Sequence, residues 1–512
     1  MPSSVDAVRP EHSIDVEMSP PVPSVARVMA GMLGQYPDAY YLGPGYPARL
    51  YTSPPPSDRL ARFAAIQVLR QTSGRTRGYW TDEEIAEVDR LSREGNPDFE
   101  TRLASLKAVW DGYAATKGDP LVQFVIAQLL NSDFPGLDLN ADRLLPVHGN
   151  SQGLSIFVEL LIEKFPGKVA VLVDKRTYTG SLALFRDKGI PVYAVDFDEH
   201  GPIPSSLEDA ADRARADGYT MPFYYTVPDG HNPTGVTVSL QRRQETVQVL
   251  QRKKMYCFED NAYSFLPLEN QKPLSPLAAL DKEGWVVYSV TFSKVYSPAS
   301  RLAVMHIPFD WKTPSGARFD VYGALTALAG FQTLFHGTVD WMALLAYLHD
   351  DRGRLQSLHD LSRERAEYYG GQYHILEEGL RYLLGNEPDV FRLVGKPQHG
   401  FFQEVVFGEK SPTSDSMNAT DLMGQLLAQD KVLFMPELDF MPPSVQKADP
   451  EAQQRGRLCF SYTNKAFHAN DTRHELAEAA NRFGNGVRRI YGLSPKPPFH
   501  LGMVPRFARL AR

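Results

Sequence analysis

The segment "GWVVYSVTFSKVYSPASR" (284–301) runs from a strand into a lysine and then an arginine. Val286, Val287, Tyr288 and Val290 are strand formers, so the chain is expected to enter Lys294 from a buried strand. A charged amine at the end of a buried strand is costly unless some partner uses it. Arg301 follows seven residues later, and Thr291 and Ser293 supply hydroxyls beside it.

Working outward, the same texture recurs from about residue 118. "DPLVQFVIAQLL" reads as a helix, "RLLPVHGNSQG" as a strand end and turn, and "LSIFVELLIEKF" as a helix. "KVAVLVD", "PVYAVDFD", "PFYYTVP" and "MYCFED" read as strands, separated by "SLALFRDKG", "SLEDAADRARADG" and "SLQRRQETVQVLQRKK" as helices. Strands alternating with helices predict a mostly parallel sheet covered on both faces. Residues 355–385 form a long charged helical stretch, followed by "VFRLVG", "GFFQEVVF", "LLAQD", "VLFMP" and "RLCFSYT". That mixture predicts a smaller α+β domain. The expected division is a flexible tail (1–28), a segment joining the small domain (29–112), a large domain (113–345) and the small domain (346–512).

Composition narrows the function class. A net charge of −7 without long single-sign blocks lacks the basic footprint of a nucleic-acid binder. Two cysteines, Cys257 and Cys459, give neither a disulfide framework nor a metal spacing. The first residues hold acids and prolines where a signal peptide would be apolar, and no apolar run approaches the ~18 residues of a bilayer span. A cytoplasmic protein without membrane or nucleic-acid partners is expected.

In open α/β sheets, ligands sit beyond the carboxyl ends of the strands. Four polar clusters fall there: "GNSQG", "PDGHNPTG", "EDNAY" and "TFSK". Each has a bland reading. Asp260 and Ser151 are also good helix caps, and Asn232-Pro233 with Gly235 makes a tight turn. Taken together they supply a lysine able to form a Schiff base, a carboxylate for a protonated ring nitrogen, and a phosphate cup at a helix start. The cup would use Ser151, Thr291, Ser293 and Arg301, with Tyr263 beside Asp260. These are the parts that pyridoxal 5'-phosphate requires.

In those motifs, from about Tyr40 to about Thr463, the sequence resembles the fold-type I pyridoxal-phosphate (PLP) enzymes. Within them it is similar to class I/II aminotransferases of the aminoadipate/kynurenine-aminotransferase kind. "SK" with Arg seven residues on matches the family's Schiff-base lysine and phosphate arginine, Lys294 and Arg301. "NPTG" gives Asn232, and "D-x-A-Y" gives Asp260 for the pyridine nitrogen and Tyr263, which with Asn232 reaches the phenolic oxygen. The family's "GSQ" stands here as "NSQ", which matches Ser151 and Gln152 to the phosphate site. "RTYTG" aligns with "PTYxG", so the resemblance implies that Tyr178 stacks on the ring. It also assigns Arg457 of "RLCFS" to the substrate α-carboxylate and Gly45 of "LGPGYP" to the substrate site. Tyr113 of "YAATKGDP" matches a tyrosine that reaches the phosphate of a neighbouring subunit, which implies a homodimer with a shared active site.

The chain departs from the pattern at several points. His231 precedes "NPTG" where Gln is commoner, Lys175 and Arg176 replace an acidic–Pro pair, and "SPASRLAV" lacks the usual glycines. Residues of about 55–105 exceed the family core. The resemblance implies transfer of an amino group from an α-amino acid, aromatic or bulky, to a 2-oxo acid. A second reading keeps the cofactor and changes the reaction to elimination or replacement, as in 1-aminocyclopropane-carboxylate synthase-like enzymes and C–S lyases. A third, an effector-sensing regulator built on the same fold, would carry an N-terminal helix-turn-helix, for which the residues before Leu42 leave little room.

Overall fold

The computed structural model describes residues 35–36, 39–42, 65, 69, 81–94, 114–269, 273–350, 354–412, 414–461 and 473–504. The expected tail (1–28), Gly45, Tyr113 and most of the 55–105 segment lie outside these residues.

Seven strands form the main sheet: β1 (Leu144–His148), β2 (Val169–Asp174), β3 (Val192–Val195), β4 (Met221–Thr226), β5 (Tyr256–Asn261), β6 (Val286–Thr291) and β7 (Leu302–His306). Their spatial order is β1-β7-β6-β5-β4-β2-β3. β3, β2, β4, β5 and β6 are parallel neighbours, and β7 runs antiparallel to both β6 and β1. The strands are rich in Val, Leu, Phe and Tyr on both faces, and β2 and β6 are buried throughout, as a sheet sandwiched between helices requires.

The predicted mostly parallel sheet is therefore present. The sequence carries no sign of the direction of β7, because four apolar residues and a histidine after a turn fit either one. Its direction matters for the site. Running backwards, it brings its first residues to the edge where its neighbours end. Leu302 lies opposite His148, and Ala303 opposite Thr291.

Helices connect the strands. Helix α1 (Gly149–Lys164) follows β1 directly, α2 (Thr179–Asp187) follows β2, and α3 (Leu240–Lys253) precedes β5. Helix α3 begins at a Ser239 cap, whose side chain accepts from Arg242 N, and ends at left-handed Lys254.

Toward the C-terminus a second sheet contains β8 (Phe391–Val394), β9 (Phe402–Phe407), β10 (Met435–Pro436) and β11 (Arg455–Cys459), all antiparallel in the order β8-β9-β11-β10. The long helices Leu358–Leu384 and Arg473–Ile490 accompany it. Tyr40–Tyr41 pairs in parallel with Val432–Leu433, and Leu42 O accepts from Cys459 N. One continuous apolar core reaches from the helices beside β1 to the rings of Phe401, Phe402, Phe407 and Phe434 near the second sheet. Among the described residues no helix is long and apolar enough to cross a membrane.

Candidate active site

A cavity of about 220 Å³ lies at the carboxyl edge of the main sheet, with β9, β10 and β11 contributing its other side. Ser151, Tyr178, Asn232, Asp260, Tyr263, Thr291, Ser293, Lys294, Arg301 and Arg457 all line it. Residues from the ends of five strands and from a second sheet thus meet in one place, although they span 307 positions of sequence between Ser151 and Arg457.

Lys294 sits just past β6, and burial pulls its amine down to about 8. Arg301 and Arg457 push it the same way, while Cys459 and Asp260 oppose. An amine in that range has a usable free-base fraction near neutral pH.

Asp260 faces the cavity from β5. Its Oδ1 accepts from Asn150 Nδ2 at 2.5 Å and its Oδ2 from the Tyr225 hydroxyl at 2.8 Å. Burial raises its carboxyl, and these two donors and Lys294 act against that rise. Two donors leave lone pairs on both oxygens for a further N–H.

At the other end lies a nest of hydroxyls and a cation. Thr291 Oγ1 donates to Ser293 Oγ at 2.9 Å, and Arg301 Nη1 to Ser293 Oγ at 3.4 Å. Helix α1 points its N-terminus here, with Ser151 in the first turn and no side-chain cap on its free N–H groups. Gly149 has φ +73°, and a Cβ there would lie 2.2 Å from Arg301 Nη2. Only glycine leaves room for the guanidinium to lie across the helix start.

The loop "HNPTG" packs on the second sheet. Gly235, at φ +74°, would put a Cβ 2.3 Å from Phe402 O. Beneath it His231 is fully buried, with Nδ1 3.0 Å from Thr234 Oγ1 and Nε2 3.3 Å from Asp174 Oδ2. Asp174 also accepts from Tyr224 and Thr226. This gives His231 a supporting task under Asn232. Arg457 donates through Nη1 to Asn232 Oδ1 and is held between the rings of Phe402 and Phe440, 4.4 and 5.1 Å from its Cζ.

Behind Arg457 lies a buried charge cluster. Glu404 pairs with Arg455 at 2.5 Å and with Arg176 at 3.4 Å. Glu437 is fully buried with no hydrogen-bond donor to either oxygen among the described residues; burial and Glu404 push its carboxyl well up.

Gln152 departs from expectation. Its side chain does not line the cavity. Its Oε1 accepts from His148 N at 2.7 Å, and its Nε2 lies 3.3 Å from Gln332 Oε1 and Thr333 Oγ1. The amide thus braces the strand end against helix Val321–Thr333, away from the cavity. Gly45 and Tyr113 lie outside the described residues. The motifs passed over Asn150, Tyr225, Phe402, Met435 and Phe440. A signal existed for the first two: Asn150 is the odd residue in "NSQ", and Tyr225 is a polar-tipped ring in a buried strand.

Residues 90–468 match the family of class I and II aminotransferases. The chain belongs to that family. An uncharacterized aminotransferase of Saccharolobus solfataricus is 28% identical over 220 residues, covering 41% of this chain and 54% of the relative. An aromatic amino acid aminotransferase of Schizosaccharomyces pombe is 28% identical over 367 residues, covering 63% of this chain and 73% of the relative. The match thus spans only about half of the first relative's length. Among solved structures, a kynurenine aminotransferase of Pyrococcus horikoshii in complex with PMP superposes with a TM-score of 0.66 at 19% identity, covering 91% of this chain and 95% of that one. This aminotransferase family member therefore has the α/β fold-type I architecture that its motifs imply.

The residues present fit PLP. The space over Gly149 kept for Arg301, the hydroxyl nest and the open helix start suit a phosphate. The carboxylate with spare lone pairs suits a ring N–H, and the lowered lysine suits an aldehyde.

Proposed function

We propose that this aminotransferase family member is a PLP-dependent enzyme that moves the amino group of an α-amino acid to a 2-oxo acid. The observation that carries the reading is the convergence of Lys294, Asp260 and Arg301 on one cavity that Arg457 also lines. When bound, PLP supplies an aldehyde for the covalent step and an electron sink for the breaking Cα–H bond.

The chain's own groups divide the remaining work. Arg457 grips the substrate α-carboxylate, its plane fixed by Phe402 and Phe440. Lys294 lines the same cavity, and its Nζ would take the Cα proton as a general base near its operating pH. Asp260 would keep a ring nitrogen charged, Asn232 and Tyr263 would serve a phenolic oxygen, and Tyr178 would cover a ring face. Ser151, Thr291, Ser293 and Arg301 would hold the phosphate.

Phe402, Met435, Phe440, Val227 and Ala262 give the cavity apolar surface, which supports an aromatic or bulky side chain on the donor. The names of the relatives point the same way.

The enzyme acts as a cytoplasmic homodimer with a shared site. Phe331, Leu334 and Val339 are 87, 53 and 49% exposed at the end of one helix and the start of the next. Such an apolar patch favours a second copy. Thr116 donates to Leu334 O at 2.6 Å, so residue 116 of the described chain lies at this patch.

The test is spectroscopic and then kinetic. The purified protein is expected to be yellow, and Lys294→Ala to remove that absorbance. Aromatic donors with a 2-oxo acid acceptor are expected to yield the new amino acid at a steady rate. A colourless protein that takes up no PLP refutes the reading. Release of ammonia or a thiol without amino transfer refutes the reaction and keeps the cofactor.

A further inference from the structure

Asp260 is held by a side chain that no motif assigns. Asn150 is buried at the start of α1 and meets two strands at once. Its Nδ2 donates to Asp260 Oδ1 at 2.5 Å and to the Ser289 carbonyl at 3.2 Å. Its Oδ1 accepts from Ser289 Oγ at 3.0 Å. These partners fix the orientation of the amide, because its NH₂ faces two acceptors and its C=O faces a hydroxyl. Asp260 and Ser289 lie opposite each other across β5 and β6, so Asn150 bridges that pair from the neighbouring helix. A helix-cap role does not account for it, since its Oδ1 accepts from Ser289 and not from a main-chain N–H of α1.

Tyr225 completes the arrangement from β4, donating to Asp260 Oδ2 at 2.8 Å. Each carboxylate oxygen thus has one donor, on opposite sides, and the carboxylate plane cannot turn without breaking one bond. The motif that this stretch resembles has glycine at this position, and glycine offers no donor.

We propose that Asn150, anchored by Ser289, is a positioning residue that fixes the Asp260 carboxylate against the ring nitrogen of the bound cofactor. The inference rests on the PLP reading above. Burial alone raises the Asp260 carboxyl, and the hydrogen bond from Asn150 is the largest of the effects that oppose it. The other groups acting on Asp260 are Tyr225, through its hydrogen bond, and Lys294, through its charge.

The experiment uses the full-length protein, stripped of cofactor and titrated with PLP by fluorescence, beside Asn150→Gly, Asn150→Asp and Ser289→Ala. Asn150→Gly and Asn150→Asp are expected to weaken PLP binding about tenfold or more, equivalent to about 1.4 kcal/mol. Asn150→Asp sets a like charge beside Asp260, so it is expected to be the weaker binder of the two. Ser289→Ala leaves the cavity lining intact and frees Asn150 to turn; a loss of about threefold is expected, and this variant carries the test if Asn150→Gly does not fold. In all three the pH midpoint of the bound chromophore is expected to move up, a change that a merely structural role would not produce. Variants that match the wild type in affinity and midpoint overturn the inference and leave the PLP reading standing. A wild-type chain that takes up no PLP overturns both.

Discussion

Replacing Gly149 with alanine is expected to release the phosphate clamp without touching any group that contacts phosphate. Gly149 sits at φ +73°. A residue with a Cβ is strained there by about 1–2 kcal/mol. The added Cβ would also lie 2.2 Å from Arg301 Nη2, 2.8 Å from Cζ and 3.3 Å from Nη1. All three atoms belong to one exposed, flexible side chain, so the clash is relieved by swinging the guanidinium outward. That movement takes Nη1 from Ser293 Oγ, 3.4 Å away, and with it the cation from the hydroxyl nest. A hydrogen bond to a charged group contributes about 1.5–3 kcal/mol, so PLP affinity is expected to fall about 10- to 100-fold. Fluorescence titration reads the affinity, and thermal denaturation of the cofactor-free protein reads the backbone strain separately. Arg301→Gln removes the clamp without the strain. Gly149→Ala added to Arg301→Gln is therefore expected to lower stability further and affinity no further, because the two changes act on one contact. A folded Gly149→Ala protein that binds PLP like the wild type, while Arg301→Gln binds poorly, would show that the clamp does not need the space above this glycine.

Four further outcomes follow from the charges and surfaces. The Lys294 amine drops from 10.5 unfolded to about 8 folded, so between those values the unfolded chain holds the extra proton and stability rises with pH. Lys294→Met is expected to stabilise the cofactor-free protein at pH 7 by at most about 3 kcal/mol, an advantage that fades toward the unfolded value and is read by melting curves across pH. The Glu437 carboxyl titrates above its unfolded value, so the stability it contributes is present at low pH and falls as pH rises; Glu437→Gln is expected to gain on the wild type in melting temperature as pH rises above the ordinary carboxylate range. Phe331→Asp with Leu334→Asp is expected to give monomers by analytical ultracentrifugation, and mixing Tyr113→Ala with Lys294→Ala subunits is expected to restore activity that neither has alone.

What the sequence showed and what it hid have a common physical basis. Lys294, Asp260, Asn232 and Arg301 stood out because their chemistry admits few residue types and because each follows a recognisable apolar strand. The strand-helix alternation carried the main sheet for the same reason: both periodicities are local. The antiparallel β7 was hidden because direction is decided by partners, here Leu302 opposite His148, 154 positions away. Gln152 misled because the motif marks the position and not the rotamer, and its amide found nearer partners at His148 and Thr333. The Glu404, Arg455 and Arg176 cluster joins residues from distant parts of the chain, so no single window contains its logic.

Three of the departures from the family motif lie beside the groups that line the cavity. Asn150 holds Asp260, His231 adjoins Asn232 in the chain, and Arg176 pairs with Glu404, which lies opposite Arg457 across β9 and β11. Each meets its partner through polar contact or charge that more than one residue type can supply. His231, for example, packs its ring edge 3.3 Å from Asp174 Oδ2, whose carboxylate already accepts from Tyr224 and Thr226, so its place is defined by contact and not by reaction. The groups in front have no such substitutes: no other side chain does what a buried primary amine does at Lys294. Substitution is therefore tolerated where a residue is defined by the bond it makes, and resisted where it is defined by the reaction. On that reasoning the unusual residues retune how firmly the acid and the two clamps are held. They leave the set of reacting groups unchanged, which favours amino transfer over a new reaction on the same frame.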